Sequence, residues 1–375
     1  MKRTSNQILI ALIALTFLGF SCGSSSDDDP GTDIDNFDRS AMLEHWRSLI
    51  ITPAVGSFSN EISVLQVAVD AFETAPNEQG LVQMRSAWTE AYRAWQNVSM
   101  FEIGFAESVS LRNFMNIYPV DAAEVEENIS SGGYNFTLPS ANDEQGFPAL
   151  DYLINGLGST DTEILNVYTD ANKGAAYLAY LKAVVTRMAE LTAGVKDYWE
   201  TGSDDFVQNS GASATASVNK LVNDFIFYYE KSLRAGKVGI PAGVFSGNPL
   251  PQNVEAYYQK DLSKTLLLDA LDAVQNFFNG KQFEGSQTGP GLKSYLDFLN
   301  TIKGGENLSG LINSQLNAAR TAIQALDDDF TLQIQNDNVT LLAAYDELQK
   351  LVILLKVDML QALNVQVDFV DADGD

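Results

Sequence analysis

Apolar residues recur with a helical period along almost the whole chain from Phe37 onward. Residues three and four positions apart share a face of a helix, whereas strands need alternation at every second residue, which is almost absent here. The pattern therefore predicts an all-α fold. Helices are expected over 38–51, 54–73, 78–102, 120–130, 147–156, 171–200, 214–235, 251–279, 290–301, 306–330 and 336–363.

The length of the helical region indicates more than one hydrophobic core. About 340 residues follow position 35, which exceeds what a single core usually organises. A run over 201–212, rich in Gly, Ser, Asp and Asn, interrupts the apolar period, and glycine pairs at 132–133 and 304–305 separate other elements. We therefore expect two packed helical-bundle domains, 36–202 and 203–375, with a cleft between them.

The N-terminal segment has the pattern of a secretion signal. Lys2 and Arg3 precede an apolar run over 8–20, and Cys22 follows directly. The apolar run is too short to span a bilayer, which takes about 20 residues. We interpret 1–21 as a bacterial lipoprotein signal peptide, with acyl chains on Cys22 anchoring the mature chain to a membrane.

The residues after Cys22 predict where the chain is located. Residues 22–35 are rich in Ser, Gly and Asp and cannot bury enough apolar surface to fold, so they are expected to form a flexible acidic tether. The run 26–29 resembles the acidic signal that sends lipoproteins of Bacteroidetes-type bacteria to the cell surface. We expect an outer-membrane lipoprotein that faces the periplasm or is exported to the surface.

Composition excludes several kinds of function. The chain has 49 Asp and Glu against 23 Lys and Arg, a formal net charge of −26, one Cys and one His. A single Cys and a single His cannot form the usual structural or catalytic zinc centres. The strong negative charge repels phosphate backbones, so nucleic acid is not an expected partner.

The segment 146–153 breaks the helical pattern most informatively. Phe147, Leu150 and Ile154 repeat at helical spacing, and Asp151 falls among them. A carboxylate among apolar neighbours needs a cation, a metal ion or hydrogen bonds. A structural salt bridge or a helix cap would satisfy Asp151 as well as a ligand would.

These residues are part of a wider resemblance to imelysin-like lipoproteins, which spans nearly all of the mature chain. The matching stretches are Trp88 to Trp95, Glu102-Ile103-Gly104, Tyr118-Pro119-Val120-Asp121, Gly146-Phe147-Pro148-Ala149-Leu150-Asp151 and the closing 367–375. The resemblance implies an all-helical fold of two bundles with a site in the cleft between them, and a role in bacterial iron uptake.

Some members of that family were named metallopeptidases on the basis of a Gly-x-His-x-x-Glu motif. Gly146 matches the first position here, but Pro148 replaces the His and Asp151 replaces the Glu. A proline has no imidazole, so any metal site of this chain would have to use oxygen ligands. We therefore predict no catalytic residue and favour a protein that is not an enzyme.

The resemblance and the polar residues together predict a binding site in the cleft. Its expected lining residues are Glu102, Arg112, Asp121, Gly146, Phe147, Pro148, Asp151, Glu230 and Arg234, beside a binding loop over 236–247. The expected metal ligands are Asp121, Asp151 and Glu230, and the ion would be iron or another divalent cation. The resemblance also implies an outer-membrane or envelope transporter as a partner, and the sequence does not indicate an oligomeric state.

Three functions remain open at this point. The first is a non-catalytic binding component of iron or other metal acquisition. The second is a metal-dependent peptidase or other hydrolase, in which Asp151 or Glu230 would be the general base. The third is a surface protein-docking scaffold, which would be favoured if side chains fill the cleft.

Overall fold

The computed structural model describes residues 35–367. The described chain is predominantly helical, which confirms the predicted fold class. Its α-helices are α1 Arg39–Trp46, α2 Thr52–Thr74, α3 Glu78–Trp95, α4 Phe105–Ser108, α5 Leu111–Met115, α6 Ala122–Ser131, α7 Gly146–Asp151, α8 Asp161–Thr169, α9 Gly174–Asp197, α10 Asp204–Gln208, α11 Ser217–Phe227, α12 Ile240–Ala242, α13 Ser263–Phe278, α14 Leu292–Phe298, α15 Leu308–Gln324, α16 Phe330–Val352 and α17 Leu360–Ala362.

Several helices continue into π-helical segments, in which residue i bonds to residue i+5. These segments are Arg47–Ile51, Tyr152–Gly156, Tyr198–Gly202, Tyr228–Gly239 and Ile353–Met359, and two short 3₁₀ turns lie at Pro139–Ala141 and Pro251–Asn253. Because π-helical turns are rare and occur often at functional sites, the twelve-residue segment Tyr228–Gly239 is the most unusual element of the fold.

Side-chain caps set the starts of some of the long helices. The Asn77 side chain accepts the backbone N–H of Gly80 at 2.9 Å and begins α3. Asp329 accepts the N–H of Thr331 at 2.7 Å and begins α16. Each cap satisfies a backbone donor that has no partner within its own helix.

The helices pack in two groups. In the first half of the chain α2 lies against both α3 and α9, and in the second half α15 lies against α13 and α16, which also contacts the segment Tyr228–Gly239. Trp88 and Trp95, seven residues apart on α3, are both buried, as expected for aromatic residues of a core. The described residues from 36 onward form one compact unit, so the division at 202 and 203 remains a prediction.

The glycine pair at 304–305 forms the turn of a small hairpin between β1 Ile302–Lys303 and β2 Glu306–Asn307. Gly304 and Gly305 have φ values of 62° and 91°, which side chains other than glycine rarely adopt. The predicted break between helices at this point is therefore confirmed.

Several helix predictions were wrong in part. The helix expected over 78–102 ends at Trp95, and α4, α5 and α10 form where no helix was predicted. The helix expected over 251–279 begins only at Ser263, because Ala256 and Lys260 have positive φ values of 58° and 65°. The loop expected from position 236 is instead helical through Ala242. Residues 161–169, for which no helix was predicted, form α8, capped by the side chain of Thr160.

Some predictions concern residues outside the described part of the chain. These are the signal peptide over 1–21, the lipidated Cys22, the tether over 22–35 except for its last residue, and most of the closing stretch 367–375. Within residues 35–367, no helix is both long enough and apolar enough to cross a membrane.

Candidate functional site

One wall of the candidate site is the π-helical segment Tyr228–Gly239, which continues α11 without a break. Residues four and five positions apart share a face of such a segment. Tyr228, Ser232 and Lys237 have this spacing, and all three line the same pocket, which we call the inner pocket. The π-helical geometry thus determines which side chains of this segment reach the site.

The inner pocket has a volume of about 200 Å³. Its remaining lining comes from the end of α3 and the turn after it, from α5 and the loop after it, from other residues of the π-helical segment and the start of α12, and from the 3₁₀ turn Pro251–Asn253. These residues are Trp95, Gln96, Ser99, Arg112, Asn116, Ile117, Tyr118, Lys231, Gly236, Ile240 and Asn253. No Asp or Glu is among the described residues that line it, although acidic residues outnumber basic ones 49 to 23 in the chain.

Gly236 leaves room for Tyr118 beside the inner pocket. A Cβ atom on Gly236 would lie 3.3 Å from the hydroxyl oxygen of Tyr118 and 3.2 Å from the backbone carbonyl oxygen of Lys231. Such distances are tighter than ordinary van der Waals contacts, so a side chain at this position would push on Tyr118. Gly236 therefore permits the loop after α5 to approach the π-helical segment.

Arg112 lies between two carboxylates at the edge of the inner pocket. Its Nε contacts Glu102 at 2.5 Å, one terminal nitrogen contacts Asp224, and the other donates to the backbone carbonyl of Ser99 at 3.1 Å. Burial raises the pKa of Glu102 and of Asp224 above their ordinary values. The guanidinium therefore offsets much of the cost of placing these two carboxylates away from water.

Lys237, which lines the inner pocket, and Glu255, which does not, form a second and more deeply buried ion pair. The other Glu255 oxygen accepts a hydrogen bond from the Asn116 side-chain amide at 2.8 Å, and the Asn116 oxygen accepts one from the Tyr92 hydroxyl at 2.5 Å. Burial lowers the pKa of Lys237 and raises that of Tyr92. A continuous hydrogen-bonded chain therefore fixes the position of the Lys237 ammonium group.

A second, larger pocket of about 550 Å³ lies next to the first, and we call it the outer pocket. Arg112, Asn116 and Lys231 line both pockets. The outer pocket also includes the carboxylates of Glu102 and Asp224. The two pockets are therefore adjacent, with cationic side chains in the inner one and both acidic and basic side chains in the outer one, and we call them together the groove.

Asp151 lies in a third pocket of about 260 Å³, which shares Tyr118 with the inner pocket. Only 2% of Asp151 is exposed, and its carboxylate accepts hydrogen bonds from the backbone N–H groups of Tyr258 at 2.8 Å and Gln259 at 3.0 Å. The Asn155 amide donates a third at 2.9 Å. Burial raises the pKa of Asp151 to about 7, against the opposing effect of these donors.

The comparison with known protein families decides the classification. The Imelysin family model matches residues 51–355, which is most of the chain. The chain belongs to the Imelysin family. No curated protein sequence matches it.

Two solved structures share the Imelysin fold seen here. One, from Parabacteroides distasonis, is described as an iron-regulated protein A precursor; it is 17% identical, with a TM-score of 0.69 over 86% of this chain and 94% of that one. The other is an Imelysin-like protein from Psychrobacter arcticum, 16% identical, with a TM-score of 0.68 over 88% of this chain and 97% of that one. At these identities the similarity establishes the fold alone.

The residues at the Imelysin motif positions pack as core. Phe147 is buried and stacks on Tyr92, with ring centroids 4.3 Å apart, and its backbone carbonyl accepts the indole N–H of Trp88 at 3.2 Å. Gly146 has a φ of 74°, and a Cβ atom there would lie 2.3 Å from the Met115 carbonyl oxygen. Pro148 and Asp151 line the third pocket, whereas Gly146 and Phe147 do not.

Glu230 and Arg234 are in a separate polar cluster of the Imelysin-family chain. Glu230 is completely buried, and its carboxylate lies 3.2 Å from Lys231, 3.7 Å from Arg234 and 3.3 Å from Lys356. Neither Glu230 nor Arg234 lines the inner, outer or third pocket. Their predicted direct contact with a ligand in the cleft has no support in this geometry, but Lys231 connects the cluster to the inner pocket.

The three predicted metal ligands do not come together. Asp121 is exposed and caps α6 by accepting the N–H groups of Ala123 and Glu124 at 3.0 and 3.1 Å. Asp151 is held by backbone donors, and Glu230 by cations. Within residues 35–367, no group of three His, Cys, Asp or Glu residues could hold a metal ion. Metal binding by these three carboxylates together therefore remains a prediction without support from the described geometry.

The predicted site included Glu102 and Arg112, and its predicted binding loop over 236–247 contains Lys237, but three polar residues were not predicted. These are Asn116, Asp224 and Glu255. Their pairing joins positions 18 to 139 residues apart in the chain. The one available signal around Lys237 was that 231–250 contains no Asp or Glu.

Proposed function

We propose that this Imelysin-family chain is a non-catalytic binding protein of the bacterial cell envelope that takes part in the acquisition of iron or another metal. The observation that carries the proposal is the groove formed by the inner and outer pockets, which helices from both halves of the chain build. Buried, mutually hydrogen-bonded side chains hold its polar groups in place, as expected of a preformed ligand site.

The association with iron rests on the family and on the P. distasonis neighbour, which is described as iron-regulated. A signal peptide and a lipid anchor on Cys22 would place the groove outside the cytoplasm. There the chain would deliver its ligand to an outer-membrane or envelope transporter. These parts of the proposal are supported by the sequence pattern and the family.

The geometry at Asp151 favours binding over hydrolysis. A general base must accept a proton from a bound reactant, and a pKa near 7 would suit that role. Both carboxylate oxygens, however, already accept hydrogen bonds from the backbone of Tyr258 and Gln259 or from Asn155. The carboxylate therefore joins α7 to the segment around Tyr258, and its role is to position that wall of the third pocket.

The proposal is tested by radioactive iron uptake in cells that lack the chain. Complementation with the wild-type protein should restore uptake under iron limitation, whereas Ser232→Phe, which fills the pocket from the π-helical wall, should not. Ser63→Phe, on the exposed side of α2, is the matched control and should restore uptake. Equal uptake with and without the chain, at equal amounts of other envelope proteins, would overturn the proposal.

A further inference from the structure

We propose that the inner pocket binds a small organic anion with carboxylate groups, so that iron reaches this protein as an anionic chelate and not as a bare cation. The inference rests on the proposed function and names the class of ligand that the same groove takes. It follows from the charges, the wall chemistry and the size of the inner pocket.

The charges of the inner pocket are the reverse of those of the whole molecule. Arg112, Lys231 and Lys237 line it, and none of the described lining residues is Asp or Glu, in a chain whose formal net charge is −26. A bare metal cation entering the pocket would meet three groups of its own sign and no carboxylate ligand. A carboxylate would meet donors of opposite charge.

The carboxylates that pair with these cations lie outside the inner pocket. Glu102 and Asp224, the partners of Arg112, line the outer pocket, while Glu255, the partner of Lys237, lines none of the three pockets described above. These carboxylates fix the positions of Arg112 and Lys237 without lining the inner pocket themselves. Each terminal nitrogen of Arg112 carries two N–H groups, so its bonds to Asp224 and Ser99 leave donor capacity for a ligand.

Burial strengthens the attraction between these groups and an anion. Lys237 is only 4% exposed, and the side chain of Arg112 is 14% exposed. Charges that are partly excluded from water interact more strongly than exposed ones, because the effective dielectric constant is lower. The hydrogen-bonded chain through Glu255 and Asn116 also fixes the position of the Lys237 ammonium group before a ligand arrives.

The walls of the inner pocket indicate an organic ligand in preference to a simple inorganic anion. Trp95, Tyr118 and Tyr228 contribute aromatic surface, and Ile117 and Ile240 contribute aliphatic surface. Ligand sites usually combine such apolar walls with a few fixed polar groups. The volume of about 200 Å³ is below the roughly 300–1,000 Å³ typical of drug-sized ligands, so the anion is small.

Lys231 is the best position for a test, because it lines both pockets and its side chain is 21% exposed, so that its replacement does not empty the core. The full chain, purified in mild detergent, is titrated by calorimetry with citrate, with ferric citrate and with Fe(II) or Zn(II) alone. Lys231→Met removes the charge and Lys231→Arg keeps it. Lys264→Met is the control for loss of a lysine with the same 21% side-chain exposure, and Lys264 pairs with Asp328 outside the inner and outer pockets. Lys231→Arg is the control for the contact that Lys231 makes with the buried Glu230.

The inference predicts that citrate and ferric citrate bind with one-to-one stoichiometry. Lys231→Met should weaken the binding by about tenfold or more, because it removes a charge-assisted contact. Lys231→Arg and Lys264→Met should bind within about threefold of the wild type. Circular dichroism of each variant confirms that the fold is retained.

The other outcomes overturn the inference and separate it from the proposed function. Binding of the bare metal ion without any binding of citrate would exclude the anionic ligand and leave the role in metal acquisition standing. If Lys231→Met and Lys264→Met weaken citrate binding equally, the inner pocket is excluded as the citrate-binding site. Citrate binding with the predicted variant pattern, combined with iron uptake that does not depend on the chain, would instead overturn the proposed function.

Discussion

The ammonium group of Lys237 contacts the carboxylate of Glu255 at a place where both side chains are almost inaccessible to solvent, at 4% and 2% exposure. Lys237 comes from the π-helical segment Tyr228–Gly239, and Glu255 from the irregular stretch before α13. Asn116, from the first half of the chain, donates to the same carboxylate at 2.8 Å. This ion pair therefore fastens three parts of the chain around the inner pocket.

Removing one member of this pair should be costly. Lys237→Met would leave the Glu255 charge buried without its cation, so the free energy of unfolding should fall by about 3–5 kcal/mol. The double variant Lys237→Met/Glu255→Gln should recover part of this loss, because it buries no unpaired charge. Urea unfolding of the two single variants and the double variant measures the coupling. Additive losses would contradict the pairing.

The stability cost of removing Arg112 from its two carboxylate partners should depend on pH. In Arg112→Met, Glu102 and Asp224 lose their cation, and burial already raises the pKa of both groups. The variant should lose about 2–4 kcal/mol of stability near neutral pH, and less at about pH 5, where the carboxylates can take up protons.

A surface arginine is the control for this variant. Arg320 pairs with Asp272, whose side chain is 54% exposed, so Arg320→Met should cost less than about 1 kcal/mol at either pH. Urea unfolding at both pH values checks the prediction. If Arg112→Met lowers the free energy of unfolding by the same amount at both pH values, Glu102 and Asp224 stay fully ionised without the guanidinium, which would contradict the prediction.

Asp151 should make the folded state less stable as the pH rises. Its pKa is about 7 in the fold and 3.8 in the unfolded chain, so between these values the folded chain binds the additional proton. The contribution of this group is therefore fully present below about pH 4 and is lost as the pH rises through about 7. The loss amounts to at most about 4 kcal/mol.

Asp151→Asn removes this titration and tests it. The amide replaces one hydrogen-bond acceptor with a donor that faces a backbone N–H, which costs the variant stability at every pH, but its stability no longer changes with the titration of this group. The difference in unfolding free energy between wild type and variant should shrink between about pH 5 and about pH 8. A constant difference would mean that Asp151 keeps an ordinary pKa.

Gly146 should tolerate no side chain. Its φ of 74° disfavours other residues, and an added Cβ atom would lie 2.3 Å from the Met115 carbonyl oxygen. Gly146→Ala should therefore cost about 2 kcal/mol or more. Gly56→Ala, in the interior of α2 where nothing lies within 4 Å of the added atom, should instead stabilise the protein by about 0.5–1 kcal/mol. Thermal unfolding compares the two variants directly.

The sequence predicted the features that depend on local patterns. The helical period gave the all-α fold, and the glycine pair at 304–305 marked a turn. The resemblance also identified the family correctly, even though its motif has Pro148 in place of a histidine.

The features that sequence did not reveal depend on long-range pairing and on helix register. A window of apolar residues does not distinguish an α-helix from the π-helical segment Tyr228–Gly239, yet the π register directs Lys237 to the inner pocket. Likewise, nothing near Asp151 in the sequence shows that the backbone of Tyr258 and Gln259 satisfies it. A buried carboxylate there was equally compatible with a metal site.

The position of bound iron tests the central claim most directly. Crystals of the protein soaked in ferric citrate are measured at the iron absorption edge, and the anomalous difference map locates the metal. We predict an iron peak in the groove formed by the inner and outer pockets, with the chelator's carboxylates on Arg112 and Lys231. An iron peak bound directly by Asp121, Asp151 or Glu230, with the groove showing no ligand, would contradict the claim.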